Sequence, residues 1–450
     1  MCLWKIQLFF QGVQKVGGVI MKNEISIGLL GLGTVGSGVA KILQQHQQDM
    51  HHKLGVPVSI KKVLIKDENK ERFSTLDSSV FTTDVQEILN DPTIDIIVEV
   101  MGGIEEAKKA IEKSLLAGKQ VVTANKDVMA EYGHELLKLA DAEKCDLFYE
   151  ASVAGGIPII RTLEDGLASD RISSLMGIVN GTTNFILTKM KQENMSYEFA
   201  LEEATRLGYA EADPSADVDG VDAARKMVIL SSLAFSTEVH LSDVLVRGMK
   251  EIRDGDMELA EGFGYTMKMV GSSKKNKDGI EVAVEPVFLA NSHLLASVNN
   301  EFNAVYIYGD AVGETMLYGP GAGSLPTATS VVSDIIAACR NLLLEVNGKR
   351  LHAAQHDRVI KSANHRYAKY FHRLLVKDEV GVLSNLTAIY SNHHASLQSV
   401  KQHPAGTEGM AEIILVTHSI SRQQHLDVIE DLKDIASVIS HYRIEGDESA

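Results

Sequence analysis

Cysteine is scarce. Only Cys2, Cys145 and Cys339 occur in 450 residues, with no CxxC pair, so no disulfide framework is expected and a reducing compartment is. His352 and His356 stand four apart, yet no HExxH and no Cys/His cluster accompanies them, which argues against a transition-metal centre. Positive charge is short as well. Lys+Arg number 44 against 60 Asp+Glu, a net charge of −16, and no basic stripe is interleaved with aromatics, so a nucleic-acid partner is not expected. No apolar run reaches the ~20 residues needed to span a bilayer. The expectation is a soluble cytoplasmic protein with no membrane partner.

The composition that is present, 45% hydrophobic and 23% charged, suits packed cores, and the length suggests roughly three domains of about 150 residues. The opening "MCLWKIQLFFQGVQKVGGVI" fits nothing after it and is too short in its apolar run for a cleavable signal. Residues 1–20 are therefore expected to be a non-native leader, with translation starting at Met21. Gly17-Gly18 is what a purine-rich ribosome-binding site would encode if read through.

Residues 24–46, "EISIGLLGLGTVGSGVAKILQQH", place an apolar strand before Gly31-x-Gly33-x-x-Gly36 and a helical pattern after it. Gly31 serves a tight turn, Gly33 a close approach to pyrophosphate, and Gly36 the packing of helix on strand. Further strands are expected at 58–67, 94–103 and 120–126, with Asp84 capping a short helix and Gly118 ending a longer one. Strands alternating with helices predict a parallel, doubly wound, Rossmann-type sheet with ligand at the strand C-termini. Thr123, Asn125 and Lys126 sit at such an end, as a polar turn or as nicotinamide-side contacts. Strand two ends in Lys66-Asp67, the cation suiting a 2′-phosphate and the acid a 2′-hydroxyl. Lys62 and Lys70 nearby tip the expectation to NADP, with NAD open.

Two later segments share one design, an apolar strand entering a glycine turn and then a helix: "DLFYEASVAGGIPIIRTL" (146–163) and "LMGIVNGTTNFIL" (175–187). The second turn suits a carboxylate, or is a capped helix start with no ligand. Then "ATRLGYAEADPSADVDGVDAARK" (204–226) sets Glu211, Asp213, Asp217, Asp219 and Asp222 ahead of Lys226 and an apolar helix. Asp222 and Lys226, four apart, share a helix face. Loss of hydration eases proton release from such an ammonium, while nearby acids hold it in place. The pattern suits a proton donor with anions gripping a substrate ammonium, or a structural ion pair at a domain seam.

With "GLGTVGSGV", "TANK", "EASVAGGIPII", "NGTTNFIL" and the 204–226 block in place, the chain from Met21 onward resembles homoserine dehydrogenase, in its long bacterial form with a C-terminal ACT domain. The resemblance implies NAD(P)-dependent interconversion of L-aspartate 4-semialdehyde and L-homoserine, a step towards threonine, methionine and isoleucine. It places Lys226 as general acid/base, with Glu211, Asp222, Asp217, Tyr209 and Thr182 around the substrate. Gly31, Gly33, Thr34, Val35, Gly36, Lys66, Lys126, Gly208 and Gly323 fall to the dinucleotide. Glu150 with the carbonyls of Val153, Gly155 and Ile157 resembles a structural sodium site.

The organisation implied is an NAD(P)-binding domain of residues 21–150 with 326–348, and a catalytic and dimerisation domain of 151–325. A linker (349–367) leads to a βαββαβ ACT domain (368–450). Such domains pair edge to edge, so a homodimer or homotetramer is expected. An amino-acid effector, threonine, is expected at Asp378, Gly381 and Val382, although His393-His394 replace the small residues usual in a nearby turn. Two other readings of the same residues remain: an oxidoreductase for a different amino alcohol, and a sensor of NAD(P) and an amino acid without turnover.

Overall fold

The structure, a computed structural model, describes residues 22–67, 76–253, 255–349, 354 and 356–446. The proposed leader, Lys70 and His352 lie outside the described residues.

Strands β1 (Ile25–Leu30), β2 (Val58–Leu64), β3 (Phe81–Thr82), β4 (Ile96–Glu99), β5 (Gln120–Thr123) and β6 (Leu147–Phe148) form one sheet in the order β3-β2-β1-β4-β5-β6. All pairs are parallel. The central strands are apolar without alternation because helices cover both faces, as parallel crossovers require. The order reverses between β1 and β4, which opens a crevice beyond Leu30 and Glu99. β3 went unseen in the sequence because two residues carry no periodicity.

A helix far along the chain completes this core. In Ser324–Leu344, residues Ala328, Val331, Ile335, Ala338 and Cys339 pack with Ile25, Ile27, Leu29 and Val98. By length and composition this helix is also apolar enough to cross a membrane; here its buried stripe faces the nucleotide sheet. Close approach is set by Gly38, where a Cβ would stand 2.6 Å from the Ser324 carbonyl and 2.9 Å from Ala328 Cβ. Gly38→Val is therefore expected to destabilise the fold by about 1–3 kcal/mol through overpacking, read as a lower denaturant midpoint.

The second sheet contains β7 (Ile172–Ile178), β8 (Val244–Val246), β9 (Tyr265–Asn276), β10 (Gly279–Ala290), β11 (Phe302–Gly309), β12 (Gly313–Pro320), β13 (Tyr367–Lys377), β14 (Leu397–Pro404), β15 (Met410–Thr417), β16 (Ile420–Ser421) and β17 (Ser437–Glu445). Its main order is β12-β11-β7-β9-β10-β17-β13-β15-β14. Helices Gly181–Glu193 and Val221–Phe235 pack on it through Ile186, Met227 and Leu230 against Leu175, Met267 and Val282.

The last part of the chain has the expected βαββαβ order, with helices Val382–Asn392 and Arg422–Leu432. Its sheet does not stop at its own edge. β17 runs parallel to β10 from Val287↔Arg443 to Leu289↔Glu445. Charges clasp the seam: buried Arg443 lies 2.6 Å from Glu445, 3.7 Å from Glu281 and 3.8 Å from Glu285. Asp256, fully buried, accepts from Arg373 (3.0 Å), Ser440 (2.8 Å) and Tyr442 (2.5 Å). Removing one partner from such a group leaves a buried charge unpaired, which is costlier than the pair's net gain.

Candidate active site

The crevice is shaped for an anion. Gly31 has φ +105, and a Cβ there would meet the Val100 carbonyl at 2.8 Å; at Gly36 it would meet the Gly31 carbonyl at 2.2 Å; at Gly33 it would meet nothing within 4 Å. Gly33 is therefore the open side. It precedes helix Thr34–Gln45, whose first-turn amides have no side-chain cap. Helix Ser324–Leu344 also starts uncapped, after Gly323 at φ +117, and the Ser324 hydroxyl donates to the Thr34 carbonyl at 2.6 Å. Two helix N-termini without side-chain caps, side by side and with Thr34 and Val35 in the first, fit a pyrophosphate.

Across the crevice, Glu99 is fully buried at the end of β4. It accepts from the Thr123 hydroxyl at 2.7 Å and the Met101 amide at 2.8 Å. Burial raises its pKa while those donors oppose the rise. Asn125 then caps helix Lys126–Glu143 by accepting from the Val128 amide and donates to the Gly103 carbonyl. Lys126 is thereby delivered to the catalytic half.

There it meets the 204–226 block. Lys126 Nζ lies 3.3 Å from Asp222 Oδ1, and Lys226 Nζ lies 2.8 Å from Asp222 Oδ2 and 2.7 Å from the Val179 carbonyl. Asn180 donates to Asp217 Oδ1 at 2.7 Å and Asp222 Oδ2 at 2.9 Å. Its own oxygen caps helix Gly181–Glu193 through the Thr183 amide. Burial presses Asp222 upward, but the ammoniums of Lys226 and Lys126 outweigh it and hold the carboxyl at about 2. Burial also weighs against the charge of Lys126, and Asp222 and Asp127 more than offset it, raising its pKa. Asp217 goes the other way: burial raises it, opposed by Asn180 and reinforced by Asp222.

The five acids that stand together in sequence separate in space. Asp213 caps the Ser215 amide at 3.1 Å and Asp219 pairs with Lys250 at 2.7 Å. Glu211 faces solvent with no partner among the described residues. Only Asp217 and Asp222 face Lys226. The reason is local: the four-residue helix Ser215–Val218 and Gly220 at φ +84 turn the chain twice within eight residues. Thr182 donates to the Tyr209 carbonyl at 2.6 Å, fixing the turn that carries Gly208 (φ +81) and Glu211. Asn180 was read in sequence only as part of a turn, and Glu99 only as strand.

Three other expectations meet details of the fold. Lys66 is exposed just beyond the end of β2, and Lys62, nearby, pairs with Glu87 at 3.1 Å on the sheet surface. In the 150–157 turn, the Glu150 carboxylate accepts from the Ile160 (2.7 Å) and Arg161 (2.9 Å) amides, and the Gly155 carbonyl accepts from Ser330 (2.7 Å). The side chain of Glu150 thus already caps a helix start, while the carbonyls of Val153, Gly155 and Ile157 each retain acceptor capacity for a hard cation. A cleft of about 530 Å³ between helices Lys126–Glu143 and Val221–Phe235 is lined by Met129, His134, Leu163, Ile229 and Leu233. It includes neither Lys226 nor Asp222 and offers nothing to the chemistry at Lys226.

A dinucleotide crevice beside a lysine held by a buried carboxylate defines an NAD(P)-dependent oxidoreductase. Residues 31–150 match the family described as "Homoserine dehydrogenase, NAD binding domain", and residues 158–336 the one described as "Homoserine dehydrogenase". The homoserine dehydrogenase of Bacillus subtilis is 52% identical over 428 residues, 94% of this chain and 99% of its own. The solved homoserine dehydrogenase from Thiobacillus denitrificans matches with a TM-score of 0.88 at 35% identity, covering 94% of this chain and 98% of that one. A hyperthermophilic archaeal homoserine dehydrogenase, solved in complex with NADPH, matches with a TM-score of 0.59 at 29% identity, over 70% of this chain and 97% of that one. The chain belongs to the homoserine dehydrogenase family.

Proposed function

We propose that Lys226 supplies the proton when L-aspartate 4-semialdehyde is reduced to L-homoserine, and receives it in the reverse direction. The observation that carries this is the hydrogen-bond inventory of one ammonium. Of its three N–H groups, one goes to the Val179 carbonyl and one to Asp222, leaving the third to point at a substrate oxygen. The nicotinamide, when bound, supplies the hydride to the aldehyde carbon or takes it from the alcohol carbon. The chain's own task is to stabilise charge growing on oxygen and discharge it with a proton. Asp217, with one oxygen held by Asn180, offers its other oxygen to the substrate ammonium, and Glu211 closes on that group from the rim. Reduced-nicotinamide absorbance, followed with homoserine and each cofactor in turn, tests the reaction: turnover supports it, and binding without turnover contradicts it.

Glu211→Gln is expected to raise KM for homoserine roughly tenfold, the loss of one charge-assisted contact, with a smaller fall in kcat. Unchanged constants would remove Glu211 from the site.

The cofactor preference is for NADP, with Lys66 as the exposed cation beside the 2′-phosphate and Asp67 as the residue that admits NAD. Gly31, Gly33, Thr34, Val35, Gly36, Lys126, Gly208 and Gly323 border the dinucleotide. Sodium, when bound, would be held as a structural ion by the carbonyls of Val153, Gly155 and Ile157 with Glu150 nearby, apart from the chemistry at Lys226. The nucleotide unit comprises 21–150 with 326–348, followed by the catalytic unit. The 368–450 unit serves as an ACT domain that receives threonine at Asp378, Gly381 and Val382, the turn where Gly381 (φ +95) opens an uncapped helix. The protein acts in the cytoplasm as a homodimer or homotetramer.

A further inference from the structure

We propose that Arg247 and Gly248 form a strut through which the C-terminal βαββαβ unit positions the acidic segment between Asp217 and Asp222. It rests on the assignment of that segment to the substrate.

One edge of β10 is shared. β8 pairs with its first half at Val282–Val284, and β17 with its end at Val287–Leu289. Arg247 leaves β8 at the junction, where its backbone amide donates to the Val284 carbonyl at 2.8 Å. Its side chain crosses to the C-terminal unit: Nη2 donates to the His441 carbonyl at 2.8 Å, and the guanidinium lies 5.1 Å from the centre of the Tyr442 ring. Cation–π contact and hydrogen bond together fix both the direction and the height of the arm.

The next residue reaches the substrate segment. A Cβ on Gly248 would stand 2.7 Å from the Val218 carbonyl and 2.8 Å from Asp219 Cα. Gly248 has φ −76, so its glycine is needed for space and not for backbone freedom. Two further contacts grip the same stretch: Lys250 pairs with Asp219 at 2.7 Å, and Gly220 is so close to Val246 and Val284 that a Cβ would meet them at 3.2 and 3.3 Å. Residues 218–220 are thus clamped along 246–250, with Asp217 before them and Asp222 after. Displacing the strip displaces both carboxylates. Contiguous packed contacts of this kind are what carry energetic coupling between distant parts of a fold.

The test uses full-length Arg247→Met, which keeps the stem and removes the head group, and Gly248→Ala. Both are expected to lower kcat/KM for the aldehyde at least tenfold, while NADPH affinity, read by nucleotide fluorescence, stays within about twofold. In Arg247→Met, amide hydrogen exchange in 214–222 should quicken while the nucleotide sheet keeps its protection. Unchanged kcat/KM in both variants, an equal loss of NADPH affinity, or unchanged exchange in 214–222 would each overturn the strut. The exchange readout needs no substrate and no Gly248 variant, so it stands even where alanine there prevents folding. It also separates a failed strut from a failed assignment of the acidic segment, which full turnover in Asp222 or Lys226 variants would reveal.

Discussion

Lys226→Ala is expected to lower kcat roughly a thousandfold, the usual contribution of a positioned general acid, and to leave KM for the aldehyde within about threefold. The split follows from what the ammonium touches. Two of its bonds, to Val179 and Asp222, are internal and present before substrate arrives, so truncation does not strip the site of its main substrate-binding groups. The third becomes strong only as charge builds on the oxygen, which is a transition-state interaction and appears in kcat. Arginine distinguishes proton from charge. Lys226→Arg keeps a cation on a stem of similar reach but holds its protons at neutral pH, so it should remain nearly as slow as the alanine variant. Recovery of turnover with arginine would mean that charge alone suffices.

Asp222→Asn is expected to have the second-largest effect. This carboxylate separates and neutralises two ammoniums, Lys126 at 3.3 Å and Lys226 at 2.8 Å, while accepting from Asn180. An amide there leaves the two cations facing each other without the carboxylate between them, and kcat/KM should fall roughly a hundredfold, the scale of about 3 kcal/mol for breaking a buried pair. A pH signature accompanies it. Burial alone would raise the Asp222 carboxyl, and the two lysines instead lower it from 3.8 to about 2. A folded value below the unfolded one contributes stability above about pH 4, lost as pH falls from there towards 2. The asparagine variant lacks that component, so its denaturant midpoint approaches that of the parent protein at pH 2–3. A constant difference between the two proteins across that range would remove Asp222 from the pair.

The parts legible in the sequence are those encoded over short distances. Strand β1, the glycine turn and the following helix declare themselves in about twenty consecutive residues, and Gly31 and Gly36 are needed where their spacing implies. Lys226 and Asp222 meet because a helix brings residues four apart onto one face. Asn180 was visible as a helix start but not as the donor joining Asp217 and Asp222, since those partners lie 37 and 42 residues away. Glu211, Asp213 and Asp219 looked like one cluster because sequence proximity says nothing about the turn at Gly220. The β10–β17 pairing, and Asp256 beneath it, unite segments more than 150 residues apart, and no local pattern marks such a junction. The pairing of Lys62 with Glu87 was likewise not visible, because Glu87 lies on a neighbouring element.

Stopped-flow oxidation of NADPH by the Lys226→Ala enzyme and aldehyde, with added primary amines, tests proton delivery from position 226 most directly. Methylamine and ethylamine, entering the space of the missing side chain, should restore much of the lost rate in proportion to amine concentration and basicity. Turnover close to that of the parent enzyme with no amine present would show that the proton comes from elsewhere.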